Sequence, residues 1–199
     1  MSRAIVFDLF GVIALTQTPA AKRRIEDIAG VAPDALWDAY WALRKPYDAG
    51  QSSAEYWTAV ADRLGVRFPA ATIDALTAAD LASWTNADPA MVSLIGELAG
   101  QGRRLGLLSN IIADLVPVFE ERHGSWLAHF DALTYSCAIG VAKPDHRAFE
   151  IAAERLGVAP ADCLFIDDSE VNVVAAREVG MRAEVFRSVE RTRALLDVF

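Results

Sequence analysis

Ala4-Ile5-Val6-Phe7-Asp8-Leu9-Phe10-Gly11-Val12-Ile13 decides the fold. Its apolar run reaches Asp8 and breaks at Gly11. A short continuous apolar run ended by glycine reads as a fully buried strand. A carboxylate at its end stands where the strand emerges from a parallel sheet, the edge at which open α/β folds bind ligands.

Downstream, the pattern turns helical. Thr18-Pro19 reads as an N-cap and first-turn proline, with Gly30 closing that helix. Pro33-Asp34 opens a second helix, carrying Leu36, Trp37, Tyr40, Trp41 and Leu43 at helical spacing. Ser52 and Glu55 form a capping-box pair for a third helix, ended at Gly65. Residues 70–84 make a fourth, and four such amphipathic helices fit a small bundle.

Strands and helices alternate from Asp88 onward. Asp88-Pro89 starts a helix that stops around residues 100–102, and 104–109 reads as a strand. A helix is expected over 111–122, a strand over 132–135 and a helix over 145–156. A strand over 163–167, a helix over 169–179, a strand over 182–186 and a helix over 189–198 complete the chain. This alternation predicts an α/β fold with a doubly wound parallel sheet. The expected division is a core of residues 1–14 and 87–199 with an inserted helical-bundle cap, 15–86. The insertion leaves from the strand end carrying Asp8, so it should hang over the ligand edge as a lid.

Composition limits the function classes. Of 199 residues, 53% are hydrophobic, ample for a core, and the net charge is −8. An acidic chain without a block of like charge does not suggest nucleic-acid or membrane binding. Lys22-Arg23-Arg24 reads as a solvated helix face. Cys137 and Cys163 form no CxxC and no disulfide framework, and Cys163 reads as a core residue. No apolar segment is long enough to span a bilayer. With no signal peptide expected, the location implied is cytoplasmic, and the protein is expected to be a monomer or homodimer.

Four positions carry chemistry at or just beyond strand ends: Asp8; Ser109-Asn110; Lys143-Pro144; and Asp167-Asp168, with Asn172 in the next helical turn. Each piece alone has an ordinary reading as a cap or a loop. Parallel strands bring them all to one edge. The resulting carboxylates, ammonium, hydroxyl and amide fit phosphoryl chemistry. Adjacent acids repel unless a divalent cation neutralises them, and Mg²⁺ prefers a few carboxylate oxygens plus water and phosphate. Lysine and serine can hold phosphoryl oxygens, and an aspartate can attack phosphorus.

The ordered set Phe7-Asp8-Leu9-Phe10-Gly11-Val12, Leu108-Ser109-Asn110, Lys143-Pro144 and Phe165-Ile166-Asp167-Asp168-Ser169 resembles the four motifs of the haloacid dehalogenase-like (HAD) hydrolase superfamily, whose small helical cap also follows the first motif. The resemblance implies roles. Asp8 would be the nucleophile, with Ser109, Asn110 and Lys143 holding the phosphoryl group. Asp168 would ligate Mg²⁺ directly, Asp167 would do so through water or orient the site, and Asn172 would contact the substrate or support the site. The carbonyl of Phe10 would be a further metal ligand.

The chain departs from the resemblance at Phe10. Most phosphatases of the superfamily carry an acidic residue there, acting as general acid and base. Such help is worth about 10²–10⁴ in rate. Three readings remain. One is a phosphatase of a small phosphorylated metabolite with a leaving group of low pKa. The second is a metal-independent 2-haloacid dehalogenase, a branch with an aromatic at this place but without the paired acids retained at Asp167-Asp168. The third is a non-catalytic member binding a phospho-ligand or a protein. Substrate choice is expected from the cap, where Trp41, Arg44, Lys45 and Tyr47 could read an organic anion. Against that, Trp41 could be core and Arg44-Lys45 a favourable helix C-terminus. Trp37, Trp57, Trp84 and Trp126 read as packing residues, and no histidine is assigned to catalysis.

Overall fold

The computed structural model describes residues 3–197 and 199. Met1 and Ser2, and Val198 at the expected end of the last helix, lie outside the described residues. The sheet is parallel throughout: β1 (Ala4–Phe7), β2 (Arg104–Ser109), β3 (Ala132–Tyr135), β4 (Cys163–Asp167) and β5 (Arg182–Val185), in the order β3-β2-β1-β4-β5. The chain builds outward from β1 to β3, then returns to β4 and β5. The order therefore reverses between β1 and β4, and a crevice opens where the connections diverge.

The period of two along each strand divides the core. Ile5, Phe7, Leu105, Leu107, Leu164 and Ile166 face one side, with α6 (Pro89–Gly100), α7 (Leu115–Leu127) and α11 (Val189–Leu196). Ala4, Val6, Leu108, Cys163 and Phe165 face the other, with α9 (His146–Leu156) and α10 (Glu170–Glu178). Gly106 lets α9 come close, since a Cβ there would lie 2.6 Å from Leu156 Cδ1. Phe149 and Phe165 meet edge-on at 5.3 Å in this second layer, so Phe165→Ala would cost about 3–5 kcal/mol.

Between β1 and α6 lie α1 (Pro19–Ala29), α2 (Pro33–Ala42), α3 (Arg44–Asp48), α4 (Ser53–Leu64) and α5 (Ala70–Ser83). The expected caps are present. Thr18 accepts from the Ala21 N–H, Ser52 and Glu55 form a reciprocal capping box, and Gly30 and Gly65 close their helices with φ of 63° and 69°. Helix α5 packs on α1 and α4, and α2 on α4, around the fully buried Tyr40, Tyr56 and Trp57. The two connectors run side by side: the Leu15 N–H donates to the Asn86 carbonyl and the Asp88 N–H to the Ile13 carbonyl, each at 2.8 Å.

Two local expectations are corrected. The helix expected from Ile111 begins at Leu115 and runs to Leu127. Ile111 and Ile112 are fully buried in a loop instead, where the Ile111 N–H donates to the Ser136 hydroxyl. Helix α2 ends at Ala42, and a separate short helix begins at Arg44. Pro46 explains the break: it has no N–H for the Ala42 carbonyl and its ring would clash there. The short helix α8 (Ser136–Ile139), unforeseen in the sequence, packs against α3, and the Ser136 hydroxyl donates to the Asp48 carbonyl.

Candidate active site

The register pairs Phe7 with Ile166, so Asp8 and Asp167 emerge side by side at the switch point. The Asp8 N–H donates to the Ile166 carbonyl at 2.9 Å and ties the two strand ends together. Lys143 Nζ bridges them, 2.6 Å from Asp8 Oδ1 and 2.6 Å from Asp167 Oδ2. Lys143 sits in a loop before a cis Lys143-Pro144 bond. Asn110 holds that loop: its Nδ2 donates to the Lys143 carbonyl at 2.9 Å, and its Oδ1 accepts from the Lys143 N–H at 2.8 Å. Asn110 thus ties the end of β2 to the Lys143 loop and caps no helix.

Asp167 is fully buried and well supplied with donors. Besides Lys143, it accepts from the Ser169 N–H at 2.8 Å and from Asn172 Nδ2 at 3.0 Å to each oxygen. Asp168 is exposed. One oxygen from each of Asp8, Asp167 and Asp168 falls in a group no more than 4.8 Å across. Gly11 makes room for it: its φ is +87°, and a Cβ there would lie 2.2 Å from Asp168 Oδ2.

Electrostatics follow from this crowding. Burial pushes the Asp8 carboxyl up to about 7, Lys143 pulls it back, and the Asp167 charge adds to the rise. Burial works against the Lys143 ammonium, but Asp8 and Asp167 outweigh it and hold its pKa above the ordinary value. Although Asp168 is an exposed residue, partial desolvation of its carboxyl and then the Asp167 charge raise it. Three carboxylates against one ammonium leave an excess of negative charge. A cluster of hard oxygens with one exposed member suits Mg²⁺, which binds through one or two carboxylates and keeps waters. A second observation agrees. Ser109 Oγ, beside this edge, is buried and has no hydrogen-bond partner among the described residues.

A cleft of about 270 Å³ opens over these groups. Asp8, Asn110, Lys143, Asp168 and Asn172 line it on the sheet side. Phe10, Thr16, Trp41, Arg44, Asp48 and Trp84 form its other walls. A larger hollow, about 400 Å³, lies between β5 and α11 and lacks this carboxylate set. Volume alone does not mark the site.

Most residues singled out in the sequence therefore meet in one place. Ser109 lies buried beside the cleft and does not line it. Tyr47 does not reach the cleft: it is buried, stacked on Tyr56 at 4.0 Å, with its hydroxyl 2.7 Å from Ser53 Oγ. Arg44 lines the cleft, but its guanidinium is already engaged by Asp48 at 2.8 Å, by Asp80 at 3.5 Å and by the Tyr40 hydroxyl. Trp41 is 51% exposed and is no core residue. Trp84, expected to serve packing alone, both packs and lines the cleft, and Asp48 and Thr16 were not foreseen. Asp48 carried one usable signal, its place four residues after Arg44.

Comparisons with known proteins fit this geometry. Residues 2–180 match the model of the haloacid dehalogenase-like hydrolase family. Sesquiterpene phosphatase astK of Aspergillus oryzae is 27% identical over 181 residues, covering 90% of this chain and 87% of that protein. Phosphatase MT3486 of Mycobacterium tuberculosis is 28% identical over 197 residues, covering 96% and 89%. A magnesium complex of a HAD family enzyme from Bacteroides thetaiotaomicron superposes with a TM-score of 0.77 at 19% identity, covering 98% of each chain. With the family model spanning most of its length and the four motif sites gathered at one sheet edge, the chain belongs to the haloacid dehalogenase-like hydrolases.

Proposed function

We propose that this hydrolase is a Mg²⁺-dependent phosphomonoesterase working through an aspartyl-phosphate on Asp8. The observation that carries this reading is the set Asp8, Asp167, Asp168 and Lys143, in which carboxylates outnumber the cation. Asp8, Asp168, the Phe10 carbonyl and, through water, Asp167 would hold the ion. Bound there, Mg²⁺ would neutralise the carboxylates and withdraw charge from the phosphoryl oxygens.

In the first half-reaction an Asp8 carboxylate oxygen attacks phosphorus, and the ester oxygen leaves with the bonding pair. In the second, water attacks the aspartyl-phosphate, releasing phosphate and restoring Asp8. Lys143 keeps Asp8 oriented and, with Ser109 and Asn110, supplies donors toward the phosphoryl oxygens. Asn172 fixes Asp167, and through it Lys143. Phe10 cannot move a proton, so the leaving oxygen departs without help from that position, which favours alcohols of low pKa. Helices α1–α5, within residues 15–86, act as the cap that roofs the cleft and excludes water.

The phosphatase relatives favour this over the two other readings, and the retained paired acids argue against a metal-free dehalogenase. The test is release of phosphate from an aryl phosphate with Mg²⁺ and with a chelator. Hydrolysis that requires Mg²⁺ supports the proposal. Halide release from a 2-haloacid under chelation, without phosphatase activity, overturns it. A protein silent on both is a binding member of the family.

A further inference from the structure

We infer that the cleft selects monoesters with a flat, apolar organic group, aryl phosphates in chemical class, and that Trp41 is the residue that recognises it. This inference rests on the phosphatase reading above and concerns which ester that site accepts.

The sheet side of the cleft takes the phosphoryl group, so the walls meet the rest of the substrate. Phe10, Trp84 and Trp41 form a continuous aromatic surface there. The Phe10 and Trp84 rings meet edge-on at 5.1 Å, and those of Trp84 and Trp41 at 6.3 Å. Trp84 is held in place, since its indole N–H donates to Asp80 at 3.2 Å. Trp41 differs from it, standing 51% exposed at the end of this surface. A large half-exposed aromatic continuous with a buried aromatic wall is unpartnered apolar surface inside a site that must also hold an anion.

The polar groups of the same walls are already engaged. Arg44 could have read an anion, but its charge is paired with Asp48 and Asp80, and its Nε and Nη1 donate to Asp48 and the Tyr40 hydroxyl, so it brings no unpaired charge to a ligand. Asn110 ties the Lys143 loop and Asn172 ties Asp167. That leaves the Thr16 hydroxyl and the Arg44-paired Asp48 carboxylate on the walls, neither a donor array for a polyol. A sugar or polyol phosphate would bury several hydroxyls against rings, each costing about tenfold or more in binding. A flat apolar group loses nothing in the same place and gains ring contacts. Volume sets a limit too. At about 270 Å³, the cleft is at the small end for organic ligands, enough for a phosphoryl group and a compact ring system. The same class suits Phe10 twice: its ring extends the wall, and a phenolic oxygen leaves without a proton donor more readily than an alkoxide.

The experiment separates recognition from leaving-group chemistry by using ligands that do not react. Methylphosphonate and naphthylmethylphosphonate are compared as competitive inhibitors of Mg²⁺-dependent acetyl phosphate hydrolysis. Acetyl phosphate has a good leaving group and no ring. In the wild-type protein the naphthyl compound should inhibit about tenfold or more tightly than the methyl one. In Trp41→Ala the ratio of the two constants should fall towards one, and in Trp41→Phe most of it should return. Because the ratio is measured within each variant, a general loss of activity does not alter its meaning. Equal inhibition of the wild type by the two phosphonates overturns the inference, as does a ratio unchanged in Trp41→Ala. Absence of any Mg²⁺-dependent turnover of acetyl or aryl phosphates overturns the phosphatase reading itself and this inference with it.

Discussion

Two buried clusters in this molecule share one charge pattern and differ in what completes it. At the sheet edge, Lys143 stands between Asp8 and Asp167. Among helices α2, α3 and α5, Arg44 stands between Asp48 and Asp80. In the helical cluster neutral donors gather on one oxygen: Asp80 Oδ1 accepts from the Tyr40 hydroxyl at 2.8 Å, from Gln17 at 3.3 Å and from Trp84 at 3.2 Å, while Oδ2 faces Arg44 at 3.5 Å without a hydrogen bond. In the sheet cluster a third carboxylate, Asp168, is added, and Ser109 stays unpartnered. One cluster offsets much of its surplus charge with donors from its own fold. The other carries one more carboxylate, exposed at the cleft, and that excess of negative charge is what a cation would fill. A buried ion pair is therefore weak evidence for function. What distinguishes the site is the uncompensated remainder.

The largest expected difference between the clusters is in turnover. Asp8→Asn should lower Mg²⁺-dependent phosphate release by about 10⁴-fold or more while the thermal midpoint stays near the wild-type value. Turnover surviving at a hundredth of the wild-type rate would break the assignment of Asp8 as nucleophile.

Arg44→Ala should show the opposite profile, a loss of stability. It leaves two carboxylates buried without their cation, at a cost of about 3–5 kcal/mol near pH 7. Burial already raises the Asp48 and Asp80 carboxyls against the pull of Arg44. A raised folded-state pKa means that ionisation, not protonation, costs the folded state. The deficit of the variant should therefore shrink as pH falls towards the ordinary carboxylate value, where both acids are neutral. Denaturant midpoints of both proteins across that range measure it, and a deficit that grows on acidification contradicts the account.

A change of one methyl group sharpens the comparison at the sheet edge. Gly11→Ala would place a Cβ against Asp168 and force a positive φ on alanine. The Mg²⁺ concentration giving half-maximal activity should rise about 10- to 100-fold. An unchanged requirement would remove Asp168 from the ion site. The smallest effect is expected at Phe10. Phe10→Asp should speed alkyl phosphate hydrolysis about tenfold, below the full value of a well-placed acid, and leave aryl phosphates nearly unaffected. Equal effects on both substrates would show that Phe10 does not control proton transfer.

Much of the molecule was legible because its signals are local. Strand β2 was expected over the residues it occupies, since a short apolar run before Ser109 has few alternatives. The caps at Thr18, Ser52, Gly30 and Gly65 follow from side-chain and backbone chemistry within one helical turn. The start of α7 was misjudged because Ile111 and Ile112 look helical by pattern. They are buried in the core instead, and the Ile111 N–H that a helix would have used is met by the hydroxyl of Ser136, far along the chain. Tyr47 and Arg44 were expected to face a ligand because their residue types suit it. Only packing shows that Ser53 and the two aspartates engage them.

By itself, then, the sequence determined the alternation of elements and the residues at the strand ends, because periodicity and turn chemistry act over a few residues. It also determined that Phe10 stands where an acid would be expected. Tertiary structure alone decided which charges are spent and which remain. Lys143 lies 135 residues from Asp8, which it contacts, and Gln17 lies 63 from Asp80. Whether a buried ion finds its counter-charge and donors depends on every element packed around it, and no stretch of sequence contains that sum.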